Sequence, residues 1–307
     1  MGMDYPHSVD KQEELMADQL HHGPLRAPAG PFAISVDGHV ADVSIDHPPS
    51  NIFDDQFTVA LRDLLDRCEA DPDVRVLLFH SADPDFFVMH GDARATVAMQ
   101  VAPGTEVAAP DPYAAQAALL ERVHRSRLVS IAAIDGAARG GGAELVSALD
   151  LRIGGPRTVF AQFEVAMGLL PGWGAPARLP HLLGRSRALD VLLTCRDVGA
   201  EEALAMGWLD RLVPSDRVLV EAGRVARRIG AMPGESIAAV KAVVDTSLGG
   251  MADALVAEST MMTRLLAAGG HRSRVERFLA AGGQERDAER DGFEGLVQAM
   301  IDDREGP

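Results

Sequence analysis

The chain has 307 residues, 47% hydrophobic and 24% charged, enough apolar material for one large globular domain or two. A formal net charge of −16 repels phosphate backbones, and no basic patch interrupts it, which argues against nucleic acid as a partner. No apolar run reaches about 18 residues, and MGMDYPHSVDKQEELMADQL lacks an apolar signal core, so neither a membrane span nor a secretory signal is expected. A cytoplasmic enzyme is the simplest expectation. Cys68 and Cys195 sit in apolar helical patterns and read as buried free thiols. Lys11 and Lys241 are the two lysines, so arginines would have to meet any anionic ligand.

Residues 1–30 are polar and end in a Pro/Gly-rich connector, which predicts an N-terminal arm. FAISV and HVADVSI flank Asp37-Gly38 and predict a β-hairpin. Phe57, Leu61, Leu64 and Leu65 recur at helical spacing and predict a helix over 54–71. VRVLLFHS (74–81) and LVSIAAID (128–135) are nearly continuous apolar runs, the mark of buried parallel strands, and a helix over 112–127 joins them. The Pro/Ala/Gly-rich stretch 103–112 reads as a loop. Short strands are expected near 151–154 and 158–161. Helical patterns then dominate at 215–230, 234–247, 251–268, 271–282 and 286–300, interrupted only by a strand signal at 209–213. This pattern gives an α/β core over 31–205 with mainly parallel pairing and a helical region over 206–307.

Two glycine-bearing turns follow buried strands: PDFFVMHGDARA (84–95) and IDGAARGGGAELVSALD (134–150). Gly140, Gly141 and Gly142 permit a sharp turn and a close backbone approach. Gly141 would begin a helix, where unpaired N–H groups and the dipole favour negative charge. A P-loop pattern and a GxGxxG fingerprint are both missing, which turns attention from phosphate to a transient oxyanion. Glu144 lies three residues beyond Gly141, within reach of whatever that N–H binds. A first-turn glutamate that merely complements the helix dipole is the competing reading.

The stretches GAARGGGAELVSALDLRIG and TVFAQFEVAMGLLPGWGAPARLPHLLGRSRALDVLLTCRDVGAEEALAMGWLDRLVP resemble the central part of the crotonase superfamily, closest to enoyl-CoA hydratases. The similarity runs from about Phe32 to Pro214 and continues weakly through the C-terminal helices. It implies a crotonase-like ββα spiral core with a helical C-terminal trimerisation region. It also implies an acyl-CoA thioester substrate, coenzyme A entering only as part of that substrate, no other cofactor, no metal, and a homotrimer or dimer of trimers. By matching motifs, the N–H groups of Gly91 and Gly141 would form an oxyanion hole. Glu144 would activate water, and Glu164 would protonate Cα. MGLLPGWG (167–174), including Pro171, would line the acyl pocket, with Gly140 beside the oxyanion turn.

The chain departs from that pattern in several places. Met89 and His90 stand where the family has small residues before the oxyanion position. His90 is either a third acid/base group or a structural hydrogen bonder. Trp173 replaces a small residue and either reshapes the acyl pocket, stacks on an aromatic acyl group, or only packs. MIDDREGP carries none of the family's usual tail lysines, leaving Arg94, just after Asp92, as the local candidate for CoA phosphates. Hydration is the expected reaction. Double-bond isomerisation, thioester hydrolysis, decarboxylation and C–C cleavage share the same oxyanion hole, and a non-catalytic thioester binder is the rival of another class.

Overall fold

The computed structural model describes residues 30–98, 112–249 and 251–301. The expected N-terminal arm, apart from Gly30, and all but the last residue of the 103–112 loop lie outside the described residues. Strands β1 (Phe32–Asp37) and β2 (Val40–Ile45) form the expected antiparallel hairpin, closing at Asp37↔Val40 around Gly38, whose φ is +56°. Helix α1 (Asp55–Ala70) starts where the Asp54 carboxylate accepts the Phe57 N–H at 2.9 Å. It buries Phe57, Leu61, Leu64, Leu65 and Cys68 on one face.

The apolar runs become β3 (Val76–Ser81) and β5 (Val129–Ile134). Between them lie β4 (Phe86–Val88), α2 (Ala93–Ala98) and α3 (Pro112–Arg125). Then follow β6 (Ala137–Arg139), α4 (Gly141–Ala148), β7 (Leu151–Gly154) and β8 (Val159–Ala161). Helices α5 (Ala175–Leu183) and α6 (Arg185–Thr194), strand β9 (Val198–Gly199), helix α7 (Ala200–Met206) and strand β10 (Arg211–Leu212) complete the α/β part.

The strands form two sheets. The larger has the order β1-β2-β3-β5-β7-β10, parallel except for the first hairpin. The smaller, β4-β6-β8-β9, is parallel apart from β8–β9. Helix α8 (Val218–Gly230) covers one face of the larger sheet, packing Val218, Ala222, Val225 and Ala226 on Val76, Leu78, Ile131 and Ile153. The other face joins α1, α4 and α5 in the main core, which holds Phe57, Phe79, Leu145 and Trp208. The β4 and β6 strands are three residues long, too short for a period to show, and both had read as parts of glycine turns.

The C-terminal part contains α9 (Gly234–Leu248), α10 (Met251–Ala268), α11 (His271–Ala280), α12 (Arg286–Asp291) and α13 (Phe293–Ile301). The single helix expected over 286–300 is therefore two, broken at Gly292, which caps α12 by donating to the Ala288 carbonyl.

Segment 284–289 straps the first glycine turn to the body. Glu289 Oε1 meets His90 Nε2 and the Gln284 N–H, each at 2.8 Å, and Gln284 Nε2 donates to Asp92 Oδ1 at 2.9 Å. Arg139 Nη1 donates to the Glu289 carbonyl while its other nitrogens hold Asp197 bidentately. The His90 and Glu289 side chains are 4% and 0% exposed, so removing one partner strands a buried charge. Glu289→Ala should therefore lower unfolding stability by about 3–5 kcal/mol in urea titration. A loss below about 1 kcal/mol, the range of an exposed pair, would sink this account of the strap.

Candidate active site

Gly140 turns the chain at φ +48° and donates its N–H to the Ala161 carbonyl at 2.9 Å, tying the start of α4 to the end of β8. A Cβ at Gly142 would collide with the carbonyls of Val88 and Met89, so the start of α4 docks directly on the end of β4. On the other side, Phe53 donates to the His90 carbonyl, Met89 donates to the Asn51 carbonyl, and Phe53 bridges Gly91. Asn51, at φ +53°, donates Nδ2 to the carbonyls of Phe86 and Phe87. Gly91 and Gly141 thereby face one cavity, which Glu144, Glu164 and Trp173 also line. Its apolar wall comes from Phe163, Met167, Leu169, Leu170 and Met262.

The two carboxyl groups sit in different surroundings. Glu144 is buried, and its Oε1 accepts the backbone N–H groups of Trp173 at 2.8 Å and Ala175 at 3.0 Å. Burial raises its pKa above the usual carboxylate range, and the two N–H donors and the Arg178 charge pull back towards the ionised form. Glu164 lies against Gly140, where a Cβ would come within 2.9 Å of Oε1. Its Oε2 is buried with no hydrogen-bond partner among the described residues. Burial, and then the nearby Glu144 charge, push its pKa upward, with only backbone hydrogen bonds opposing. The proton therefore rests more readily on Glu164 than on Glu144.

The other expected residues are distributed around this centre. His90 borders the cavity, but both ring nitrogens are engaged: Nδ1 with the Gly91 carbonyl and Nε2 with Glu289, each at 2.8 Å. Burial alone would lower its pKa; the Glu289 carboxylate and the Gly91 carbonyl outweigh that and raise it. Of the two readings open in the sequence, the geometry supports the hydrogen-bonding one. Asp92 lines a separate outer cleft and accepts the Arg94 N–H at 2.9 Å. Arg94 itself is exposed on α2. Pro171 is buried between Leu170 and Gly172, which line the inner cavity while Pro171 does not. Trp173 borders both cavities. The thiols of Cys68 and Cys195 are free and buried.

Other residues emerge only in three dimensions. Arg178, 2% exposed, joins the Trp173 carbonyl at 3.0 Å to Glu121 at 2.8 Å. Glu258, 5% exposed on α10, is a further buried carboxyl whose pKa rises through burial and then through the Glu144 charge. Its position within a helical stretch gave no signal. Among the described residues no cluster of three His, Cys, Asp or Glu side chains is arranged to hold a metal ion. Nor is any described helix long and apolar enough to cross a membrane.

Two paired sheets, a glycine turn opening a buried helix and two inward carboxyls define an α/β protein of the crotonase fold. A sequence profile described as enoyl-CoA hydratase/isomerase matches residues 36–281. A solved structure of a provisional enoyl-CoA hydratase from Streptomyces avermitilis is 32% identical, with a TM-score of 0.77, over 88% of this chain and 98% of that one. The enoyl-CoA hydratase of Mycobacterium tuberculosis is 26% identical, with a TM-score of 0.65, over 78% and 96% of the two chains. An enoyl-CoA hydratase/isomerase from Xanthobacter autotrophicus, 23% identical, shares the fold with a TM-score of 0.75 over 91% and 99%. The chain belongs to the enoyl-CoA hydratase/isomerase family.

The raised pKa of Glu164 has a consequence for stability. Unfolded, the group loses its proton near the ordinary glutamate value of about 4.3; folded, it holds the proton to higher pH. Its contribution is full below the unfolded value and is lost as pH rises through the folded one. Glu164→Gln should therefore be more stable than the parent at roughly pH 9, with the gap closing towards roughly pH 4, measured by urea unfolding. A gap that widens in acid would reverse the assignment.

Proposed function

We propose that the chain adds water to a 2-enoyl-CoA thioester to give a 3-hydroxyacyl-CoA. The observation that carries this reading is the unlike pair of carboxyls on one cavity: Glu144 held by two N–H donors, and Glu164 with a buried, unpartnered oxygen. Hydration needs an ionised base and a protonated acid together, which requires environments that separate the two protons. Glu144 takes a proton from water as the water oxygen attacks Cβ. The π electrons move towards the thioester oxygen, where the Gly91 and Gly141 N–H groups stabilise the developing enolate. Such donors contribute several kcal/mol when aimed at the oxyanion. Glu164 then delivers its proton to Cα. Water has been added across the double bond, and one proton passing from Glu144 to Glu164 resets the pair.

Coenzyme A enters as part of the substrate, with no separate cofactor. The proposal includes assembly as a trimer or dimer of trimers, as the family resemblance suggests. Isomerisation of the double bond is the second reading within the family, since one carboxyl that moves a proton between carbons suffices for it. Two carboxyls in unlike surroundings, Glu164 holding its proton the more firmly, favour hydration over it.

With crotonyl-CoA, the parent should yield a product heavier by one water, seen by mass spectrometry. Glu144→Ala and Glu164→Ala should each lower kcat by about 10²–10⁴-fold, the usual contribution of a positioned acid or base, while thioester binding persists. Both variants hydrating at the parental rate, or an isobaric product, would refute the assignment. Because the base must be ionised and the acid protonated, kcat/KM should rise and then fall with pH. Both limbs should lie above the ordinary carboxylate range, since both groups are raised.

A further inference from the structure

Trp173 stands where the two glycine turns converge. A Cβ on Gly141 would fall within contact of its six-membered ring, and one on Gly91 would lie 2.8 Å from Cη2. The indole thus takes the volume that side chains at both positions would have used. On its inner side is the carboxyl-lined cavity of about 50 Å³, room for a few water molecules at about 10–15 Å³ each. On its outer side is a cleft of about 340 Å³ lined by Phe53, Gln56 and Gln116. Gly91, Thr96 and Trp173 border both, so the ring is part of the partition between them.

The backbone beneath the ring is held on both sides. The Trp173 N–H donates to Glu144 Oε1 at 2.8 Å, and its carbonyl accepts from Arg178 Nη1 at 3.0 Å. Phe53 meets the indole edge-on, with ring centroids 5.0 Å apart. Moving the loop away would release Glu144 from one of its donors, so on this wall space beside the carboxyls comes from turning the side chain. An acyl group bound there competes with the indole for volume, and the competition grows with each carbon.

We propose that Trp173 is the specificity-determining residue of this site, a size filter that admits short acyl groups and disfavours long ones. The inference rests on the reading of the ligand as an acyl-CoA thioester.

The test uses thioesters without a reactive double bond, so that binding is read apart from chemistry. Butyryl-CoA and octanoyl-CoA are titrated calorimetrically into the full chain and into Trp173→Ala and Trp173→Phe. In an open apolar pocket each added CH₂ tightens binding roughly fourfold. The parent should fail to gain from the four extra carbons. Trp173→Ala should raise the octanoyl-to-butyryl affinity ratio by about tenfold or more, and Trp173→Phe should fall between. If the alanine variant does not fold, the phenylalanine variant's rise alone supports the filter. A ratio within about twofold of the parent in the folded variants overturns it, as does a chain that binds neither thioester. A shifted ratio without hydration of crotonyl-CoA leaves the filter standing and removes the hydratase reading. Hydration with an unchanged ratio does the reverse.

Discussion

Gly142 has no room for a side chain because its Cα packs against the carbonyls of Val88 and Met89. This contact presses the first turn of α4 onto the end of β4, and the rest of the centre follows from it. It brings Gly141 and Gly91 to one cavity and turns Glu144 inward, away from water. A buried carboxylate needs hydrogen-bond donors, and the N–H groups of Trp173 and Ala175 at the start of α5 supply them. Helix packing, turn geometry and proton affinity are thus linked through one close backbone contact.

The C-terminal strap extends the same logic across the chain. His90 precedes Gly91, and its ring is fixed by a carboxylate 199 positions later. Gln284 meets both that carboxylate and Asp92. The first glycine turn is therefore held from one side by Asn51 and Phe53 and from the other by Gln284 and Glu289. Rigid support of this kind keeps backbone donors at fixed positions, which hydrogen bonds to a developing charge require. Arg178 does the corresponding work on the opposite wall, where its buried guanidinium orients the Trp173 carbonyl.

Much of the fold was legible because its signals are local. The Asp37-Gly38 hairpin, the buried runs of β3 and β5, and the α1 face of Phe57, Leu61, Leu64 and Leu65 all lie within a few residues along the chain. Of the smaller sheet, β8 was legible near 158–161, whereas β4 and β6 were not, since their three residues each show no measurable period and lie within glycine turns. The break at Gly292 was hidden because α12, RDAERD, is too short and too polar to show an apolar stripe of its own, and only cap geometry separates it from α13.

The site divides in the same way. By themselves, the residues from Gly140 to Glu144 determined an anion-friendly helix start with a carboxylate one turn on. Motif resemblance added Glu164, Gly91 and the family. Only the tertiary structure decided which carboxyl is held by N–H donors, that His90 is committed to Glu289, that Glu258 and Arg178 are buried nearby, and that Trp173 stands between two cavities. The physical reason is separation along the chain. Proton affinity, burial and cavity shape are set by groups brought together from distant segments, and no local pattern encodes where those segments meet.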